Sequence, residues 1–274
     1  MGNTASLRSL QRESPLPRLE FQMLWQYVLQ VPRAWLIAHD TDTIADAEVA
    51  RFHELEARRL AGEPMAYILG RREFMGHDFL VSPAVLIPRP ETEQLVETAL
   101  EHLQGRTLPA VLDLGTGSGA IAISIALAHP DAQVAATDLS ADALDVAQQN
   151  ARRLGAQVEF LRGSWYDALA EGREFDVIVS NPPYIAACDP HLVSGDLRFE
   201  PASALTDGGD GLAALRAIVE GAGRRLKPRG ALYMEHGWDQ AEAVRHLLES
   251  AGFTQVSSRR DLAGIERITG GIYD

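Results

Sequence analysis

The chain has 274 residues, 46% of them hydrophobic, with a formal net charge of −13 and one cysteine, Cys188. That length allows one large core in one or two domains, and a single thiol excludes intrachain disulfides and multi-thiolate metal sites. No apolar run approaches the roughly 18 residues of a membrane span and the N-terminus has no apolar signal core, so the sequence points to a soluble cytoplasmic protein with neither a membrane nor a metal among its partners.

The acidity is uneven. Residues 1–75 hold 9 Lys and Arg against 10 Asp and Glu, and the remainder holds 16 against 28. Counterion release by Lys and Arg supplies most nonspecific nucleic-acid affinity, so this balance counts against a direct nucleic-acid substrate. The opening Met1-Gly2-Asn3-Thr4-Ala5-Ser6 fits a short myristoylation pattern of low specificity and reads better as a tail.

From Leu19 to about Leu69 the pattern is helical. Phe21, Leu24, Trp25, Val28 and Leu29 recur at three and four, and Val49, Phe52, Leu55 and Leu60 continue the period on a second segment. Pro32 and Pro64 suit first helical turns, and Asp46 is placed to cap the segment ending near Gly62. A small helical bundle with no evident chemistry is expected, serving to dock a substrate or partner. Next, Glu73-Phe74-Met75 and Phe79-Leu80-Val81 flank Gly76-His77, which predicts a β-hairpin over residues 71–90. It ends in Pro88-Arg89-Pro90-Glu91-Thr92-Glu93, where the acidic residues suit the first turn of a helix running to about Leu103.

After Leu108 short apolar runs alternate with amphipathic segments. Strands are predicted over 110–114, 134–137, 158–161, 175–179, 231–234, 253–257 and 265–272, and helices over 120–128, 141–154, 212–226 and 240–250. Such alternation means an α/β fold, a mostly parallel sheet with helices on both faces, whose ligand lies beyond the carboxyl ends of the strands where strand order reverses.

The first of these strands leads into Asp113-Leu114-Gly115-Thr116-Gly117-Ser118-Gly119. Glycines at 115, 117 and 119 allow a tight turn and close approach of backbone to a ligand. A dinucleotide fingerprint starting at Gly115 asks for a third glycine at Ala120; Ala is a known variant there, so the spacing alone leaves that reading open. Asp113 is the stronger sign, because a carboxylate at that point repels pyrophosphate but serves an ammonium group directly or through water. Asp138, about 20 residues on, is placed for the two hydroxyls of an adenosine ribose, and Trp165 in Ser164-Trp165-Tyr166 for the adenine. Together they describe a site for S-adenosylmethionine; a plain glycine turn, a helix cap and a core tryptophan are the competing structural explanations.

Asn181-Pro182-Pro183-Tyr184 follows the apolar run from Phe175 to Val179. It offers a side-chain carbonyl, a Pro carbonyl, a backbone stiffened by two fixed φ angles and a flat ring. That suits a planar group bearing an NH2, as on adenine, cytosine or a glutamine side chain, although a rigid turn capping a strand would look the same. The segment from Ile185 to Gly211 has little periodicity and is too long for an ordinary connection; it is expected to close over the target.

With these motifs in place the chain resembles a Class I S-adenosylmethionine-dependent methyltransferase and, more closely, is similar to the release factor glutamine methyltransferase family. That family methylates the glutamine of the Gly-Gly-Gln motif in bacterial class I peptide-chain release factors. The similarity extends over nearly the whole chain, including Ile87-Pro88-Arg89-Pro90-Glu91-Thr92-Glu93, Arg198-Phe199-Glu200-Pro201 and Glu235-His236-Gly237. It implies a Rossmann-like domain over 91–274 with a seven-stranded sheet, a hairpin linker over 71–90 and a helical substrate-docking domain over 1–70. It also implies cofactor contacts from Asp113, Gly115, Thr116, Gly117, Ser118, Gly119, Asp138, Leu139, Trp165 and Asn181, with the glutamine held by Asn181, Pro182, Pro183 and Tyr184. Catalysis is expected from Asn181, Pro182 and Tyr184: the first two accept hydrogen bonds from the glutamine NH2, and the ring packs on the amide. The family often has Asp directly before the Trp, where this chain has Ser164. An amino-methyltransferase of adenine or cytosine and a non-catalytic cofactor-binding scaffold are the alternatives.

Overall fold

The computed structural model describes residues 5–274, so the first four residues of the myristoylation-like opening lie outside the described residues. The chain divides into two compact units, residues 1–70 and 71–274.

The first unit is helical, with α1 (Leu7–Glu13), α2 (Arg18–Leu29), α3 (Arg33–Ala38), α4 (Asp46–Leu60) and α5 (Met65–Leu69). Its core is aromatic: Trp25 of α2 and Phe52 of α4 stack at 4.6 Å between ring centroids, and both are fully buried. A paired ion bridge from Arg59 to Glu20 ties the same two helices at 2.9 Å. Pro32 and Pro64 stand immediately before α3 and α5, whereas Ala45 is the residue before α4 and the expected cap, Asp46, is its first helical residue.

The second unit begins with the hairpin β1 (Arg71–Phe74) and β2 (His77–Leu80), joined by Met75 and Gly76, both at positive φ as a tight hairpin turn requires. This hairpin does more than link. Phe74 and Phe79 are buried in the core of the larger unit with Ile121 and Leu95, and the Asn150 side chain both donates to and accepts from the backbone of Leu80. Two aromatic side chains with that much area to bury draw the hairpin into the unit that follows it.

Then come α6 (Glu93–Leu103), β3 (Ala110–Leu114), α7 (Ala120–Ala128), β4 (Gln133–Asp138), α8 (Ala141–Leu154), β5 (Val158–Arg162) and β6 (Phe175–Ser180). They are followed by α9 (Ala202–Leu205), α10 (Ala213–Ala222), β7 (Leu226–Glu235), α11 (Ala241–Ser250), β8 (Phe253–Arg260) and β9 (Glu266–Tyr273). The sheet has the order β5-β4-β3-β6-β7-β9-β8; β9 runs antiparallel to both neighbours and the other pairings are parallel. Successive residues alternate between faces. Val111 and Val177 join a core with Ile121 and Val96, while Leu112 and Ile178 join another with Ile218 and Val244, so the central strands are apolar on both sides.

Strand order reverses between β3 and β6, which pair with Leu114 opposite Ser180. The glycine turn after β3 and Asn181 after β6 therefore emerge side by side at the switch point, where an open α/β sheet binds its ligand.

Candidate active site

A cavity of about 430 Å³, large enough for a nucleoside-sized molecule, opens at that switch point. Gly115, Thr116, Gly117, Ser118, Asp138, Leu139, Trp165, Asn181 and Pro183 line it, so most of the residues expected from sequence meet on one wall. Asp113, Gly119, Pro182 and Tyr184 are not brought to that wall.

The turn is built from within. Gly115 and Thr116 donate their N–H groups to the Thr137 carbonyl, and Gly117 donates to Asp138 Oδ2 at 2.9 Å. Those three amides are consumed by the protein, unlike the free donors of a phosphate cradle. Gly119 is packing: at φ +82° a Cβ there would lie 2.7 Å from Ile123 Cδ1 and 3.1 Å from Ala147 Cβ, so only glycine lets α7 and α8 approach. At Gly115 the demand is the φ of +71°, and the nearest atom to a Cβ would be Trp165 Cζ3 at 3.5 Å. Trp165 itself holds φ +46° and is fixed by Thr137 Oγ1, which donates to its carbonyl at 2.9 Å. The indole thus stands beside the turn as a flat wall.

Asp113 lies beneath the turn, fully buried. Its Oδ2 accepts from Thr116 Oγ1 at 2.6 Å and from Ala122 N at 3.2 Å, while Oδ1 has no partner. Burial pushes its pKa up to about 7 against those two donors. An unpartnered buried carboxylate oxygen is costly and fits a cofactor with a cationic group, reached directly or through water. At the rim Asp138 accepts from Gly117 N and from Ser140 N, one bond on each oxygen, which fixes its plane and leaves lone pairs for hydroxyls. Leu139 beside it is 69% exposed on the cavity wall, an apolar face without a protein partner large enough to cover it. The donor set and the apolar walls fit S-adenosylmethionine: Asp138 stands on the wall for ribose hydroxyls, the Asp113 carboxyl lies beneath the turn with one oxygen unpartnered, and Arg89 is the one cation among the described residues that line the cavity.

Asn181 stands on that wall too, just after β6. Its Nδ2 donates to Thr92 Oγ1 at 3.1 Å, and Thr92 Oγ1 donates to Glu235 Oε2 at 2.6 Å. Tyr184 does not face the cavity because its ring packs on the α10–α11 face of the sheet and its hydroxyl donates to Glu235 Oε1 at 3.1 Å. Burial raises the pKa of both Glu235 and Tyr184. Pro182 is buried behind the wall and Pro183 forms part of it.

Six contributors were given no site role from sequence, although Arg89, Thr92, Glu200 and Pro201 stand in motifs that carry the family resemblance. Thr92 stands at the start of α6 yet makes no capping bond with its side chain, because the hydroxyl is given to Glu235. Arg89 lines the cavity and pairs with Glu200, whose other oxygen accepts from Ile87 N at 3.0 Å. Pro201, Ser203 and Ala204, from the long segment after Tyr184, also line the cavity. That segment is ordered by its own bonds: Ile185 N donates to Leu205 O and Ala187 N to Gly209 O. A lone Thr, Arg or Glu within a helix-start or proline motif carries no local signal of such a role.

The sheet with its antiparallel β9, the glycine turn after β3 and the acidic residue after β4 define a Class I methyltransferase. The T. thermophilus 16S rRNA methyltransferase RsmC, solved with AdoMet and guanosine, shares this fold at a TM-score of 0.56 and 21% identity, over 74% of this chain and 50% of that one. Residues 92–210 match the Methyltransferase small domain family and residues 4–70 the PrmC N-terminal domain family. Release factor glutamine methyltransferases of Bordetella pertussis and Burkholderia pseudomallei are 64% and 55% identical to this chain, each over 97% of it and over 98% and 96% of their own lengths. The chain belongs to the release factor glutamine methyltransferase family.

Proposed function

We propose that this protein transfers the methyl group of S-adenosylmethionine to the side-chain amide nitrogen of the glutamine in the Gly-Gly-Gln motif of class I peptide-chain release factors, in the cytoplasm. The observation that carries the reading is the Asn181 amide: its NH2 end is spent on Thr92, so its carbonyl end is left for a ligand NH2 in the cavity that the glycine turn shares. Family membership supports the same substrate.

An amide nitrogen is a poor nucleophile because its lone pair is delocalised into the carbonyl. S-adenosylmethionine, when bound, supplies an electrophilic methyl on sulfonium sulfur. Asp138 and Leu139 hold the ribose side of it, Trp165 flanks the adenine, and Asp113 serves the amino-acid end from beneath the turn. Asn181 Oδ1, on the cavity wall, accepts a hydrogen bond from the glutamine NH2 and aims its lone pair; the second acceptor required is the carbonyl of Pro182, whose ring is buried behind that wall. Positive charge grows on that nitrogen as the N–C bond forms and the C–S bond breaks, its electron pair returning to sulfur so that a neutral thioether would leave, and two fixed acceptors stabilise the charge without reorganising. Pro201, Ser203 and Ala204 keep water out, and the amide proton leaves afterwards to solvent. Tyr184 acts through its hydroxyl bond to Glu235 and fixes the stiff Pro-Pro turn. The helical unit of residues 1–70 docks the release factor.

Radiolabelled cofactor incubated separately with release factor, DNA and RNA tests this reading. Label on the release factor glutamine is expected. Label on nucleic acid alone would replace it with an adenine or cytosine amino-methyltransferase, and label on none with a cofactor-binding scaffold.

A further inference from the structure

Buried in the wall of the cavity is a chain of three polar side chains drawn from elements far apart in sequence: Asn181 after β6, Thr92 at the start of α6 and Glu235 at the end of β7. Thr92 and Glu235 are 4% and 2% exposed, so neither has bulk water as an alternative partner.

A threonine hydroxyl has one hydrogen to give. Here it goes to Glu235 Oε2 at 2.6 Å, and Tyr184 Oη donates to Oε1, so the carboxyl group accepts on both oxygens. Once that hydrogen is committed, Thr92 Oγ1 can only accept, and the group before it must be a donor. Asn181 therefore turns its NH2 toward Thr92 and its carbonyl away. Were the amide flipped, two oxygens would face each other, or Thr92 would have to withdraw its hydrogen from Glu235 Oε2 and leave a buried acceptor unpaired. The other oxygen of Glu235 is held by Tyr184 Oη, so the carboxylate cannot turn to relieve the conflict.

We propose that Thr92 and Glu235 are positioning residues that set the polarity of the Asn181 amide, making the site an acceptor for an NH2 group. The inference rests on the glutamine-methylating reading for its kinetic consequence but not for its geometric one. A substrate presenting a carbonyl or hydroxylate at the same place meets an oxygen instead of a donor, so the pair also selects against those groups.

The sequence contains three asparagines, Asn3, Asn150 and Asn181. Protein labelled with 15N at asparagine alone therefore gives three side-chain NH2 signals, and Asn181→Ala assigns the one of interest. In Thr92→Val, which keeps the shape and removes the hydroxyl, the Asn181 NH2 signal is expected to move and to exchange faster with water, while that of Asn150 stays. In the transfer assay Thr92→Val is expected to lower kcat by about tenfold to a hundredfold with cofactor affinity within about twofold, and Thr92→Ser to recover most of the loss. Glu235→Gln, which can offer Thr92 an N–H and free its hydroxyl to face Asn181 Oδ1, is expected to lower kcat similarly while remaining folded by circular dichroism. An Asn181 signal unmoved by Thr92→Val, or a Thr92→Ser enzyme as slow as Thr92→Val, would overturn the proposal. A wild-type enzyme that leaves the release factor unlabelled would sink the reading beneath it and not the orientation, which the NH2 signals decide.

Discussion

Arg89 closes an ion pair onto Glu200, a carboxylate 111 residues further along the chain whose side chain is fully buried. This contact fastens the long segment after Tyr184 to the turn that precedes α6, and it sets Pro201, Ser203 and Ala204 over the cavity. Replacing Arg89 by Ala leaves the buried Glu200 carboxylate with the Ile87 N–H alone. We expect a loss of about 1–3 kcal/mol in unfolding free energy, and faster proteolysis within residues 185–211 that cofactor and release factor partly reverse. Unchanged cleavage, insensitive to both ligands, would contradict a covering role for the segment.

Gly119→Ala tests the turn. The added methyl would meet Ile123 Cδ1 and Ala147 Cβ within 3.1 Å at a backbone angle of φ +82°. Overpacking costs about 1–3 kcal/mol and the left-handed angle about 1–2 more, so urea denaturation should show the midpoint falling by an amount equivalent to at least 2 kcal/mol. A change below about 0.5 kcal/mol, the size of an ordinary surface substitution, would mean the two helices are free to part.

How much of this was open to a reader of the sequence depends on range. The bounds expected for α7 and α8 are those of the structure, because strand-turn-helix units announce themselves within a dozen residues. Where the apolar signal weakens, the reading fails: β7 begins at Leu226, through the polar Lys227-Pro228-Arg229-Gly230, and α1 is a seven-residue helix with two buried side chains that no period reveals. The site divides in the same way. Asp138 and Asn181 were legible because each stands at a strand end beside a local motif. Thr92, Glu200 and Glu235 stand in motifs that carry the resemblance, but their roles were not legible, since their partners are 89 to 143 residues away and only the closed fold brings them together.

Asp113 makes a prediction about pH. Burial pushes its pKa up to about 7 in the folded protein from the ordinary 3.8. Between those values the folded state holds a proton that the unfolded chain has released, so this residue makes stability fall as pH rises through that window and level off above about 7. The stability of Asp113→Asn minus that of the wild type isolates the effect from other titrating groups. It should rise by about 2 kcal/mol between pH 5 and pH 7, at no more than about 1.4 kcal/mol per pH unit. Cofactor whose ammonium is served by Asp113 should also expel that proton, so calorimetry near pH 6.5 in buffers of different ionisation enthalpy should register proton release on binding. A flat stability difference with no proton release would remove Asp113 from the site.

Trp165 should report and support the cofactor. Its indole lies beside Gly115 on the cavity wall, so its fluorescence should change on binding. Trp165→Ala should raise the cofactor Kd by at least about tenfold, or about 1.4 kcal/mol. Equal affinity in the variant would return Trp165 to the role of a core side chain.

Mass spectrometry of the Gly-Gly-Gln peptide from a release factor treated with S-adenosylmethionine and either the wild-type protein or Asn181→Ala decides whether Asn181 directs methyl transfer to glutamine. One methyl group is expected on the glutamine side chain with the wild type, and a rate reduced by about a hundredfold or more in the variant, with its fold and cofactor affinity retained. An unmodified glutamine with the wild type, or near-normal turnover with Asn181→Ala, would contradict that role.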